Sequence, residues 1–208
     1  MNPEKPERQL SPEKTAAILA GGMQEFLARG YAATSMDRVA IAAKVSKATV
    51  YSHFRDKESL FVALIHQLVE GKFRTIFAEE EALQATPQEF LSGLANRVLD
   101  TATNEPQFLN FMRLIIGESE RFPQLARAFV QNVEQISFSR LCQYFTHCPQ
   151  LKLADPEATA RIFVGAIVHF LIVQEMLHGK DIVPMERTRI ITTLIEYVTN
   201  RTGDEQNR

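Results

Sequence analysis

Apolar residues recur at helical spacing from one end of the 208-residue chain to the other, and no run of strict apolar/polar alternation stands out. Ser11-Pro12-Glu13 supplies an N-cap, a proline at the first helical position and an acid in the first turn. Ile18, Leu19, Met23, Phe26 and Leu27 then share one face, and Gly30 is placed to end the helix as a left-handed residue. Gly21 and Gly22 lie inside it, each costing about 1 kcal/mol against Ala, so this helix leans on tertiary packing. Thr34 or Ser35 caps a short second helix carrying Met36, Val39, Ala40 and Ala43, and Ser46 caps a third that ends near His53 or Phe54. Two short helices joined by a tight turn form a helix-turn-helix pattern. Asp56 then caps a long fourth helix with Leu60, Phe61, Leu64, Ile65, Leu68, Phe73, Ile76 and Phe77 on its inner side.

The same signals repeat further on. Thr86-Pro87, Glu105-Pro106, Phe122-Pro123 and Asp155-Pro156 each open a helix, the last running to about His178, and Pro184 precedes a final helix through Ile190–Val198. The expectation is an all-α chain of nine helices. Residues 1–10 form a loose polar arm, 11–56 a helix-turn-helix domain, 57–201 a second helical domain and 202–208 a loose tail. The fourth helix is expected to couple the two domains.

Composition narrows the reading. At 45% apolar with 14 Phe, the chain has ample material for a core. The longest apolar run, IFVGAIVHFLIV at Ile162–Val173, is about 18 Å long as a helix, short of a bilayer's ~30 Å hydrocarbon core, and reads as buried rather than membrane-spanning. No apolar leader is visible in MNPEKPERQLSPEK, and two cysteines make no disulfide framework, which fits the reducing cytoplasm. Cys142, His147 and Cys148 fall short of the four ligands of a tight zinc site, so no metal and no cofactor are expected. The net charge of −2 hides an asymmetry. Residues 1–57 hold nine Lys/Arg against six Asp/Glu, and the rest of the chain is acidic.

The basic segment includes KVSKATVYSHF, Lys44–Phe54. In a helix-turn-helix the second helix enters the major groove and its N-terminal residues meet base edges. With Ser46 as cap, that first turn is Lys47, Ala48 and Thr49, while Val45 and Val50 anchor the helix. Lysine donates to guanine or phosphate, and a small Ala48 admits a close backbone or a thymine methyl. Thr49, Tyr51 and His53 offer polar tips suited to phosphate oxygens. Lys57, a cation in the first turn of a helix, opposes the helix dipole unless the two together hold an anion, and Thr34 offers a similar site. The plainer alternatives stay open: Ser46 and Thr34 as caps, Tyr51 as a core aromatic, Lys47 and Lys57 as solvated charges.

The stretches ILAGGMQEFLARGYAATSMDRVA and KVSKATVYSHFRDKESLF, together Ile18–Phe61 and continuing to Leu64, resemble the DNA-binding domain of the TetR/AcrR transcriptional regulators. The resemblance implies a TetR-like architecture and a homodimeric, ligand-responsive DNA-binding repressor or, less often, activator. Its partners are a pseudo-palindromic double-stranded DNA operator and a small-molecule effector. Carried over, Thr34 matches a helix-capping phosphate contact, Lys47, Ala48 and Thr49 the base-facing start of the recognition helix, and Tyr51, His53 and Lys57 phosphate contacts. The family usually has glycine in the turn where this chain has Lys44. A left-handed lysine there costs about 1 kcal/mol and adds a cation beside the DNA backbone. Gly21-Gly22 replace the more usual alanines.

For the second domain the same resemblance implies a dimer interface on the helix at 157–178 and the last helix, with Ile162, Gly165, Ala166, Ile191, Leu194 and Ile195 as candidates. Phe77, Phe108, Phe111, Met112, Phe170 and Gln174 are candidates for an effector pocket, and an apolar, aromatic lining favours a hydrophobic or amphipathic effector. No nucleophile–base arrangement, phosphate loop or metal motif argues for an enzyme. An adaptor acting through protein–protein contacts is the alternative, and Lys47, Tyr51 and His53 argue against it.

Overall fold

The caps visible in sequence start helices in the computed structural model, which describes the backbone of residues 11–76 and 85–200 and the side chains of 11–68 and 85–200. Ser11 accepts from Lys14 N–H, Ser46 from Thr49 N–H and Asp155 from Ala158 N–H. Thr86 and Glu89 form a reciprocal capping box. Among the described residues the result is nine helices and no strand. They are α1 Pro12–Ala33, α2 Met36–Ala42, α3 Lys47–His53, α4 Lys57–Ile76, α5 Pro87–Asn104 and α6 Pro106–Glu118. Then α7 comprises Pro123–Phe129, a π-helical turn Val130–Glu134 and Gln135–His147. Helix α8 is Pro156–Phe170 prolonged by a π-helical turn Leu171–Met176, and α9 is Arg187–Thr199.

Two compact units result. One takes the described chain up to Gln67 together with Leu114–Phe129, and the other takes Leu68–Arg113 with the described chain from Val130 onward. The first unit thus reaches past the boundary expected at 56/57 and recruits a segment distant in sequence. Its core joins Ile18, Phe26, Val39, Val50, Leu60, Phe61 and Leu64, all fully buried. Phe26, Tyr31 and Phe61 pack ring against ring at 5.3–5.5 Å, and Phe122 adds its edge to Tyr31 at 4.8 Å.

The glycines of α1 have structural causes. Gly30, at φ 75° and ψ 168°, breaks the helix before a last turn at Tyr31–Ala33, in a conformation closed to residues with a Cβ. A Cβ on Gly21 would lie 2.7 Å from the backbone nitrogen of Ala43, so Gly21 lets the α2–α3 turn press directly on α1. A Cβ on Gly22 would lie 3.0 Å from Leu60 Cδ2, so the Gly21-Gly22 pair is a contact surface rather than only a weak spot.

In the second unit α5, the Gln135–His147 part of α7, α8 and α9 close around a core that includes Leu91, Leu99, Leu141, Phe145, Phe163, Ile167 and Leu194. Two expectations change here. Helix α8 is buried on one side only: Phe163, Ile167, Phe170 and Leu171 face the core, while Ile162 and Val168 are 51% and 41% exposed. With its π-helical turn it spans Pro156–Met176 and is, among the described residues, the one helix long and apolar enough to cross a membrane by length and composition. The apolar run alone is too short for this; the flanking turns supply the added length. Of the candidate interface residues, Ile191, Leu194 and Ile195 are buried within their own chain, because α9 turns that stripe toward the core. Ile162 and Gly165 are exposed, and Ala166 is half-buried against the core.

Candidate nucleic-acid interface

The turn between α2 and α3 is built around Lys44. Its φ of 55° is left-handed, its N–H donates to Ile41 O at 3.1 Å, and the Val45 N–H donates to Ala40 O at 3.0 Å. These two bonds make a Schellman ending to α2, and Lys44 occupies the position that glycine usually fills. An L-residue held there costs about 1 kcal/mol. The lysine side chain is exposed.

Helix α3 follows at once. Ser46 Oγ accepts the Thr49 N–H at 3.1 Å and pairs with Thr49 Oγ1 at 2.8 Å. Val50 is fully buried and Phe54 nearly so, which fixes the rotation of the helix. Lys47, Ala48, Tyr51 and Ser52 are consequently exposed, and Thr49 is half-buried. The Lys47 ammonium lies 2.8 Å from Asp37 Oδ1 and 2.9 Å from Oδ2, and 6.0 Å from the centre of the Tyr51 ring. Hydrogen bonding to Asp37, and then its charge, raises the Lys47 pKa above the ordinary lysine value. A small residue flanked by a cation and a phenol, on a helix pinned by one buried valine, is a surface suited to the edge of a duplex.

Three expected contacts are engaged elsewhere. Thr34 is 3% exposed and its hydroxyl donates to Glu25 O and Gly30 O, so Ser35, not Thr34, caps α2. Thr34 is itself extended, at φ −77° and ψ 136°, and caps the end of α1 rather than the start of α2. His53 is half-buried, with Nδ1 at 2.9 Å from Thr15 Oγ1, because the last turn of α3 lies against the first turns of α1. Lys57 turns inward as well. Its ammonium donates to Tyr31 O at 2.6 Å, Thr34 O at 3.0 Å and Ala32 O at 3.4 Å, and lies 4.3 Å over the Tyr31 ring. The oxygens that answer the charge are carbonyls at the end of α1. Burial draws the Lys57 pKa below its usual value, with Glu118 opposing.

Sequence reasoning missed Asp37 and Glu118. Glu118 Oε1 accepts the Tyr31 N–H at 3.1 Å, satisfying the backbone where Gly30 breaks the helix. Its partner lies 87 residues away, and no helical spacing links them. Asp37 carried one signal, as an acid in the first turn of α2 within the basic segment.

In the second unit Phe111 and Phe170 are buried, Phe108 and Met112 are half-buried, and Gln174 is buried with its amide donating to Val183 O at 2.8 Å. Phe77 lies outside the described residues. Arg113 donates to Glu175 O and Met176 O, closing the end of the π-helical turn of α8. Cys142 and Cys148 are half-buried free thiols, and burial raises the Cys142 pKa ahead of the charge of Glu157. Among the described residues no group of three metal-binding side chains gathers.

Comparison with known proteins agrees with this geometry. Residues 18–64 match the family model described as bacterial regulatory proteins, tetR family, and residues 89–200 match the C-terminal domain of AefR-like transcriptional repressors. The HTH-type transcriptional regulator AcrR of Shigella flexneri is 26% identical over 157 residues, covering 74% of this chain and 73% of its own. The solved structure of the flavonoid-responsive regulator FrrA superposes with a TM-score of 0.75 at 29% identity, over 92% of this chain and 97% of that one. AibR, solved in complex with isovaleryl coenzyme A and operator DNA, shares the fold at a TM-score of 0.62 and 20% identity, over 89% of this chain and 98% of that one.

Proposed function

The chain belongs to the TetR family of bacterial regulatory proteins, and we propose that it is a homodimeric repressor whose hold on a pseudo-palindromic operator is loosened by a small hydrophobic or amphipathic effector. The observation that carries the reading is the outward face of α3. Lys47, Ala48 and Tyr51 are exposed above a fully buried Val50, with Lys44 and Ser46 beside them. In the groove, Lys47 and Ala48 meet base edges, and Lys44, Ser46, Thr49 and Tyr51 meet the backbone. The duplex lies in the cytoplasm, and the protein acts there.

Dimerisation is supported by the open apolar side of α8, where Ile162, Gly165 and Val168 have no cover in the single chain. Two protomers joined there present two recognition helices to successive major grooves. The effector reading draws on Phe108, Met112 and Gln174 of the second unit and on the small molecules named for the relatives, a flavonoid for FrrA and an acyl coenzyme A for AibR. Release requires the effector to favour the conformation that fits the operator less well.

Gel-shift titration against DNA from upstream of the protein's own gene tests this. Specific, salt-sensitive binding is expected, lost in Lys47→Ala plus Tyr51→Ala. Binding that is absent, or unchanged in the double variant, overturns the reading.

A further inference from the structure

Between Glu25 and Asp56 the chain carries a single carboxylate, Asp37, in its most basic stretch. Its place is well fixed. Ser35 caps α2, and the burial of Met36, Val39 and Ala40 holds the helix so that Asp37 faces outward in the first turn. Across the turn it meets Lys47 with both oxygens, although 57% and 61% of the two side chains remain exposed. The cation at the head of the recognition helix is therefore already paired before any DNA arrives.

We infer that Asp37 is a specificity-determining residue of the DNA interface, one that withholds Lys47 from the phosphates of generic duplex. The inference rests on the recognition-helix reading above. A lysine ammonium has three hydrogens, and a carboxylate leaves at least one for an acceptor on a base edge. A phosphate is a different partner, since drawing it to Lys47 also draws it to the negative charge of Asp37. The carboxylate thus penalises the sequence-independent contact and braces the sequence-dependent one. Exposed pairs of this kind are weak, so the effect on affinity is modest and its selectivity is the signature.

The test uses two duplexes, one selected by the wild-type protein from a random-sequence pool and one of the same composition scrambled, titrated at several salt concentrations. Asp37→Asn is expected to bind the scrambled duplex roughly two- to fivefold more tightly, the range an exposed pair supports. Its salt dependence steepens by up to about 0.9 in log–log slope, one lysine–phosphate contact. The selected duplex stays within about twofold, so the ratio of the two affinities falls. In a Lys47→Ala background the same substitution no longer changes that ratio. Asp37→Ser, which keeps an oxygen in the first turn, repeats the result if α2 needs one to fold. An unchanged ratio in Asp37→Asn, or an equal effect with and without Lys47, overturns the inference alone. A Lys47→Ala protein that binds the selected duplex as tightly as wild type overturns the recognition-helix reading and the inference with it.

Discussion

Helices α3 and α4 both begin with a lysine, Lys47 and Lys57, in the first turn where a cation opposes the helix dipole. The two side chains end in opposite surroundings. Lys47 reaches across an open surface to a carboxylate, and Lys57 folds back onto carbonyls at the end of α1 and the face of Tyr31. The difference lies in what each helix start confronts. Helix α3 faces the acid of α2, whereas α4 faces the end of a helix broken at Gly30, whose carbonyls lack intrahelical donors. Helix position alone does not assign a cation its role; the nearest unsatisfied oxygen does.

The sharpest way to break this comparison is Lys57→Ala. Hydrogen bonds from a charged donor contribute about 1.5–3 kcal/mol, so urea unfolding should show a loss of roughly 2 kcal/mol. An unchanged midpoint with weakened DNA binding would place Lys57 beside Lys47 as a contact to the duplex. Lys47→Ala should give the reverse pattern: operator affinity falls by about 1–3 kcal/mol in titrations, while stability stays within about 0.5 kcal/mol. A smaller effect is expected of Lys44→Gly, which relieves the left-handed backbone and should raise stability by about 1 kcal/mol. If it also weakens operator binding, the family's missing glycine has been exchanged for a cation of use.

The smallest effect is a pH dependence at the cap of α4. The Ser59 N–H, and then Arg55, lower the Asp56 pKa below the ordinary carboxylate value. The folded state therefore binds this proton less readily than the unfolded chain. The contribution is complete above the unfolded value near 3.8 and is lost as pH falls through the lower folded value. Thermal melts of wild type and Asp56→Asn should converge on acidification through that window. A constant gap between them would deny the cap its charge.

The helices were legible because their starts carry local chemistry. Ser46 caps within three residues, and Asp155-Pro156 opens α8 by the same logic. The left-handed Lys44 was legible too, since a turn that usually needs glycine still needs its geometry. What the sequence withheld lies across from a residue rather than along from it. Thr34 has the composition of a cap, yet its hydroxyl is absorbed by α1. The stripe Ile191, Leu194 and Ile195 could have faced a second chain or its own core, and periodicity is the same either way. Tyr31 and Glu118 meet only because a fold brings positions 87 apart together.

The close approach of Gly21 to Ala43 has a consequence for descent. A lineage drifting from this sequence can exchange surface lysines one at a time, but any larger residue at position 21 has to arrive with a shift in the turn that presents the recognition helix. The contact is with the backbone at Ala43, so no exchange of the side chain there relieves it. The smallest side chain in α1 limits how the DNA-reading end of the molecule can evolve.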